Sequence, residues 1–268
     1  MKTKQVILTH SFKGGTGKTV IATNFAYYFS KQGYKTLLID GDLSAPSLFK
    51  VFPRGEEIEK LKTWTEHLSG VFEHVEDVIY PTGYPNLDVI YSPPPEIGKD
   101  FLQDKSSEWW VNSMKTALQT RSVLLEDLGY DFVVLDNQNG ISMNSTNNLA
   151  LSDISFLVLR PVTYGISGTI HILREMYATL ADMKKRNDYL IWNQVPKTSE
   201  NATNTRVNFI IDTWDDFFKR GGLEGVARID YNANFSISML EQQSGVLLGT
   251  SEYMQSVVEG ICQKIGLT

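Results

Sequence analysis

Near the start of the chain, Lys13-Gly14-Gly15-Thr16-Gly17-Lys18-Thr19 places glycines, lysines and hydroxyls at fixed spacing just after a short apolar run. Glycines let successive backbone N–H groups turn inward. A helix opening near Lys18 adds the positive end of its dipole, so the concavity suits a polyphosphate. In such a loop Lys18 bridges the β- and γ-phosphates and the Thr19 hydroxyl ligates Mg²⁺. A purely structural glycine turn is a poor rival for so many specified residues.

Three further positions carry chemistry of the same kind. The run Leu37-Leu38-Ile39 ends in Asp40-Gly41-Asp42, a carboxylate pair just past an apolar strand, where open α/β sheets bind ligands. Acidic residues at strand ends also form turns, a reading that stays open above all for Asp40. The run Phe132-Val133-Val134-Leu135 feeds one carboxylate, Asp136, which is suited to hold Mg²⁺ through water. The run Leu190-Ile191-Trp192 ends in Asn193, whose amide both accepts from adenine N6–H and donates to N7, or simply caps a strand end. Gln follows Asn193, so no N-K-x-D guanine motif is present and ATP is expected over GTP.

These segments resemble the ParA/MinD family of P-loop ATPases. The general phosphate-loop pattern asks for glycine where Phe12 stands, whereas the variant loop of this family, x-K-G-G-x-G-K-[ST], does not. The resemblance implies that Lys13 reaches across an ATP-dependent homodimer to the partner's phosphates, neutralising charge that develops during transfer. It also implies that Asp42, in a first switch running on through Ala45-Pro46-Ser47, activates the attacking water, with Asp40 supporting the magnesium shell. Asn193 becomes the adenine reader. One departure stands out. After Asp136 the family commonly continues D-x-P-P-G, and here Asn137-Gln138-Asn139-Gly140 keeps only the glycine. Losing two prolines predicts a looser second switch rich in hydrogen-bonding amides.

The elements that must position these residues follow from periodicity. Apolar, β-branched runs at 5–10, 35–40, 87–91, 132–136, 154–159, 189–193 and 226–229 alternate with helical patterns at 18–32, 107–128, 166–185, 205–219 and 251–265. This predicts an α/β fold, a doubly wound, mostly parallel sheet flanked by helices, the P-loop NTPase architecture of ParA/MinD type. A single domain over 1–268 is expected, with a less regular insertion at about 53–119. That insertion holds Trp64, Trp109 and Trp110, read as core material or as a partner-facing cluster.

Composition narrows the function classes. Of 268 residues, 42% are hydrophobic and 21% charged, which excludes a disordered or collagen-like chain. A lone cysteine, Cys262, excludes an intrachain disulfide or multi-thiolate metal site. The four histidines show no metal-ligand spacing. No apolar run reaches membrane-spanning or secretory length, so a cytoplasmic protein without stable membrane insertion is expected. The net charge of −6 leaves DNA binding to a local patch, with Lys184-Lys185-Arg186 and Lys219-Arg220 the candidates for non-specific contact. No DNA-reading extension precedes the first strand, so operator recognition is not expected. The apolar stripe of the last helix, Met254, Val257, Val258, Ile261 and Ile265, reads as core packing, with Cys262 buried beside it. The resulting expectation is a partner-stimulated Mg-ATP switch for DNA partition or cargo positioning. The alternative is a nucleotide-dependent scaffold or sensor with weak hydrolysis.

Overall fold

Each apolar run becomes a strand of one sheet. The computed structural model describes residues 4–55, 60–98, 105–181, 185–233, 237 and 252–267. The strands are β1 (Gln5–His10), β2 (Thr36–Gly41), β3 (Tyr80–Pro81), β4 (Leu87–Ile90), β5 (Phe132–Asn137), β6 (Ile154–Leu159), β7 (Asn187–Val195) and β8 (Glu224–Asp230). They lie in the order β3-β4-β2-β5-β1-β6-β7-β8. Every pairing among the described strands is parallel except β3 with β4, a short edge strand that the sequence pattern did not indicate.

Alternate residues of the central strands feed separate cores. Val6, Leu8, Leu37, Ile39, Val133 and Leu135 face one layer, and Ile7, Leu38, Val134, Phe156 and Val158 face the other. Helices on both faces cover the sheet, so its strands are apolar nearly throughout. On the second face lie α1 (Lys18–Lys31) and, later in the chain, the helix Glu252–Ile265. Also on the second face, α2 (Leu48–Val51) turns out of the β2 loop and buries Leu48 and Val51. On the first face lie α3 (Trp64–Leu68), α4 (Ser107–Ser122), α5 (Met143–Leu151), α6 (Thr163–Ile172), α7 (Ala178–Ala181) and α8 (Asn201–Arg220). The last helix, Glu252–Ile265, is α9.

Two elongated patterns change pitch. A π-helical turn, Val123–Asp127, extends α4, and another, Leu173–Tyr177, joins α6 to α7. Lys184 and Ser251, assigned to the helical patterns at 166–185 and 251–265, lie outside the described residues. In α9, Met254, Val258, Ile261 and Cys262 are buried, which is the packing stripe expected of it. Trp64 and Trp110 are buried and Trp109 is half-buried, so these indoles serve mainly as core. Among the described residues no helix is long and apolar enough to cross a membrane.

α5 escaped the sequence reading because Met143-Asn144-Ser145-Thr146-Asn147-Asn148 has poor helix propensity and no apolar stripe. Side-chain hydrogen bonding stands in for an apolar face. Asn144, Asn147 and Asn148 are buried and hydrogen-bonded. The Ser142 hydroxyl starts the helix by accepting from the Ser145 N–H at 3.0 Å.

Candidate functional site

The loop between β1 and α1 turns through Gly15 (φ 76°) and Gly17 (φ 93°), left-handed conformations that strain any other residue. Gly17 is fixed for a second reason, since a Cβ there would come within 2.2 Å of the Asn193 amide nitrogen. That nitrogen donates to the Thr16 carbonyl at 2.7 Å. Its neighbour Gln194, itself at φ 57°, donates to the Gly15 carbonyl at 3.2 Å. The end of β7 therefore clamps the loop through two amides. Phe12, standing where the general motif has glycine, lies against α6. A Cβ on Gly168 would fall 2.0 Å from its ring, so the missing side chain makes the notch that Phe12 fills.

Sheet register brings the carboxylates to this loop. Thr9 pairs with Asp136 across β1 and β5, and Asp40 pairs with Asp136 across β2 and β5. Asp136 accepts from the Thr9 hydroxyl at 3.3 Å through Oδ1 and from the Thr19 hydroxyl through Oδ2. Burial pushes its carboxyl up to about 6, against the pull of Lys18 and these hydroxyls. The Ser47 hydroxyl reaches Thr19 Oγ1 at 3.4 Å. A hydroxyl and a carboxylate on one spot form an oxygen donor set that fits a hard divalent ion retaining several waters. Among the described residues no group of three or more His, Cys, Asp or Glu side chains converges as a metal cage. The Thr16 hydroxyl is buried in the loop wall without a hydrogen-bond partner.

Asp40 and Asp42 shape the loop after β2. Asp40 accepts from the N–H groups of Ser47 (3.0 Å), Leu48 (3.1 Å) and Asp42 (3.2 Å), holding the start of α2. Burial first and the charge of Asp136 second push its carboxyl up to about 8. Asp42 accepts through Oδ1 from the Ser44 N–H at 3.1 Å, its hydroxyl at 2.7 Å and the Ala45 N–H at 3.0 Å. A Cβ on Gly98 would approach the Leu43 carbonyl within 2.3 Å, so the helical turn at 95–98, after β4, packs closely over this turn.

The second loop, expected to be loose, is pinned by its amides. Asn137 Oδ1 accepts from Gln138 N–H and from Asn148 Nδ2, both at 2.9 Å. Asn144 Nδ2 donates to the Gly41 carbonyl at 2.8 Å and to Gln138 Oε1 at 3.1 Å, tying the two loops together. Asn139 Oδ1 accepts from Lys18 Nζ and from the Ser11 hydroxyl at 3.1 Å. Replacing prolines by amides has added partners here, so the expected loosening is not what the chain shows. Thr9 and Asn144 were not singled out from the sequence, and Ser47, Asn139 and Gln194 were read only as parts of their motifs, without the contacts they make. Their signal is register and tertiary approach, which spacing does not carry.

Lys13 is exposed and lies over the Tyr164 ring, 4.7 Å from its centroid. On the other side of Gly17, a small, partly open cleft of about 90 Å³ is lined by Val20, Ile21, Asn193, Ile229, Tyr231 and Met254 among others. Its apolar walls suit the face of a planar base. The phosphate loop, the carboxylates and the cleft thus line one continuous edge of the sheet.

A family described as an AAA domain matches residues 4–196, the stretch from β1 to just past Asn193. The chain belongs to this family. Its fold is of ParA/MinD type. A putative septum site-determining protein MinD of Guillardia theta is 27% identical over 157 residues, 59% of this chain and 53% of that protein. The tyrosine-protein kinase CpsD of Streptococcus pneumoniae is 40% identical over 88 residues, 33% of this chain and 37% of that protein. The matched stretches span only about a third to a half of the length of these relatives. Among solved structures, a McdA variant of Cyanothece in complex with ATP superposes with a TM-score of 0.76 at 16% identity, covering 100% of this chain and 98% of that one. A putative plasmid partition protein of Borrelia burgdorferi bound to AMPPNP superposes with a TM-score of 0.74 at 20% identity, covering 98% of each. At that identity the likeness establishes the fold.

The candidate DNA patches fare differently from one another. Arg186 is not a free surface cation, since its side chain is 3% exposed, stacks over Tyr177 and pairs with Asp188 at 2.6 Å. Lys219 and Arg220 are exposed at the end of α8. Cys262 is fully buried, and burial pushes its thiol up to about 12, so it is inert packing.

Proposed function

We propose that the chain is a Mg-ATP-dependent, dimerising ATPase switch of ParA/MinD type that serves DNA partition or the positioning of protein cargo. The observation that carries this reading is the meeting of Lys18, Thr19 and Asp136 beside a glycine loop at the carboxyl edge of the sheet. The partition and McdA structures it resembles, with AMPPNP and ATP bound, support the nucleotide.

In this reading the amides of Gly14, Gly15, Thr16 and Gly17 cradle the phosphates and Lys18 bridges the β and γ groups. Thr19 and Asp136 hold Mg²⁺, which when bound neutralises phosphate charge. Asp40, already bound to backbone N–H groups, supports that shell from behind by fixing the Asp42 turn. Asp42 orients the attacking water with the oxygen not engaged by Ser44. Asn193 keeps its N–H on Thr16 and offers Oδ1 to the adenine amino group. Lys13 leaves Tyr164 to reach the partner's phosphates, which couples dimerisation to hydrolysis.

Calorimetric titration with ATP and Mg²⁺ tests the reading. Saturable heat is expected for the native chain and its loss for Lys18→Ala; a folded native chain giving no heat rejects it. A second reading, a nucleotide-dependent scaffold or sensor with weak hydrolysis, is favoured by the amide bonds that pin the second loop. Turnover with and without duplex DNA separates the two. A partition ATPase is stimulated, with steep salt dependence, and a sensor binds ATP with little turnover in either condition.

A further inference from the structure

The loop that replaces D-x-P-P-G does more than hold itself together. Asn139 Oδ1 sits on Lys18 Nζ, the ammonium assigned to the β- and γ-phosphates, and also accepts from the Ser11 hydroxyl at 3.1 Å. The other end of the same carboxamide closes over the loop, with Nδ2 3.4 Å from where a Cβ of Gly14 would stand. Lys18 itself is 7% exposed, so its ammonium has little water to exchange with, and the carboxamide is its hydrogen-bonded acceptor. An amide oxygen in that position presents to Lys18 what a phosphate oxygen would present, without the charge.

We propose that Asn139 is a positioning residue that competes with phosphate for Lys18 and so sets nucleotide affinity and exchange. Binding swaps a neutral acceptor for a charged one, and charge-assisted hydrogen bonds are roughly twice as strong as neutral pairs, so phosphate wins the exchange at a reduced net gain. The displaced side chain belongs to the turn that contains Gln138. Through Gln138 Oε1 and Asn144 Nδ2 that turn is bonded to the Gly41 carbonyl, one residue before Asp42. Entry of phosphate at Lys18 is thereby felt at the loop assigned to the attacking water. A proline at position 139 would have no side-chain acceptor, so the competition is a property of this chain's own residues.

This inference rests on the nucleotide-binding reading above, and one set of titrations separates the two. The affinities of the native chain, Asn139→Ala and Asn139→Asp for Mg-ATP and Mg-ADP are measured by calorimetry, alongside the melting temperature of each. Removing the competitor is expected to tighten binding about tenfold in Asn139→Ala. A carboxylate is expected to pair with Lys18 and weaken binding at least about tenfold in Asn139→Asp, a penalty that shrinks as pH falls toward the carboxylate range. A merely structural role predicts weaker binding in both variants and no pH dependence specific to the aspartate, and that result overturns the proposal. Equal affinities in all three chains overturn it as well while leaving the nucleotide reading standing. Absence of nucleotide heat from all three folded chains rejects the nucleotide reading and this inference with it.

Discussion

His10, the last residue of β1, faces the carbonyl of Gly140 with its Nε2 at 2.9 Å. A carbonyl only accepts, so Nε2 carries the proton and the ring donates to the loop that follows Asp136. The other ring nitrogen, Nδ1, is buried without a partner, and the ring stacks on Tyr177 with centroids 6.1 Å apart. A strand end feeding the phosphate loop is thus bolted to the second loop by a neutral imidazole.

Acid is expected to loosen that bolt. Burial first, with the positive charges of Lys18 and Arg186 adding to it, lowers the His10 pKa from the usual 6.5 to about 4. The unfolded chain therefore binds the extra proton first as pH falls. The stability that His10 contributes is fully present above about 6.5 and is lost as pH drops through about 4, up to about 3 kcal/mol in all. His10→Phe keeps the stack on Tyr177 and cannot titrate. Urea titrations from pH 7 to pH 4 are expected to show a shallower fall for this variant than for the native chain, and parallel curves would remove the imidazole from the account.

A second expectation concerns the notch under Phe12. Gly168→Ala places a methyl carbon 2.0 Å from the Phe12 ring, a clash that must be relieved by moving α6 or the phosphate loop. Overpacking of this kind costs about 1–3 kcal/mol. Phe12→Leu in the same chain should recover part of the loss, because the two sites share one contact and are not additive. Additive denaturant midpoints in the double-mutant cycle would show that ring and notch do not meet in solution.

How much of this was legible in the residues differs by element. The strands were read closely because both faces of the sheet are buried and apolar runs mark them. The phosphate loop was read because its residue types are required by backbone conformation and charge. Asp40 and Asp42 were placed correctly at a strand end, but their bonds to Ser47, Leu48, Ser44 and Ala45 were not foreseen, since a turn is closed by backbone N–H groups that all sequences possess. α5 was missed because its buried asparagines look like loop residues until Gly41, Asn137 and Trp110 supply their partners. Hydrogen bonds made across 34 or more positions in the chain, such as Asn147 to Ser113, leave no local signal.

Asn193 yields a third expectation. Its amide nitrogen holds the Thr16 carbonyl at 2.7 Å, and it lines the cleft assigned to the base. Asn193→Ala removes both the clamp and the acceptor proposed for adenine, so ATP affinity should fall about tenfold and preference over GTP should shrink. Asn193→Asp should be worse, because it sets a carboxylate oxygen against the Thr16 carbonyl oxygen. Competition titrations with ATP and GTP measure both effects. Unchanged ATP affinity in Asn193→Ala would strip the residue of either role.

The last expectation concerns Lys13 and its perch. The ammonium lies 4.7 Å from the centroid of Tyr164, itself 57% exposed, and an exposed cation–π contact of this kind is worth about 0.5–1 kcal/mol. That is enough to bias the side chain and too little to hold it against a polyphosphate. Lys13→Ala should therefore leave ATP binding by the single chain nearly unchanged while weakening ATP-dependent dimerisation and turnover. Asp42→Ala should do the reverse, retaining nucleotide and accumulating a dimer that does not release phosphate. Tyr164→Ala frees Lys13 from its resting contact and should favour the dimer by up to about fivefold, the equilibrium equivalent of that cation–π energy. Sedimentation velocity with ATP, ADP and no nucleotide, paired with phosphate release, reads all three variants. Dimerisation that ignores Lys13→Ala would confine that lysine to its own loop, and phosphate release at the native rate by Asp42→Ala would move water activation elsewhere.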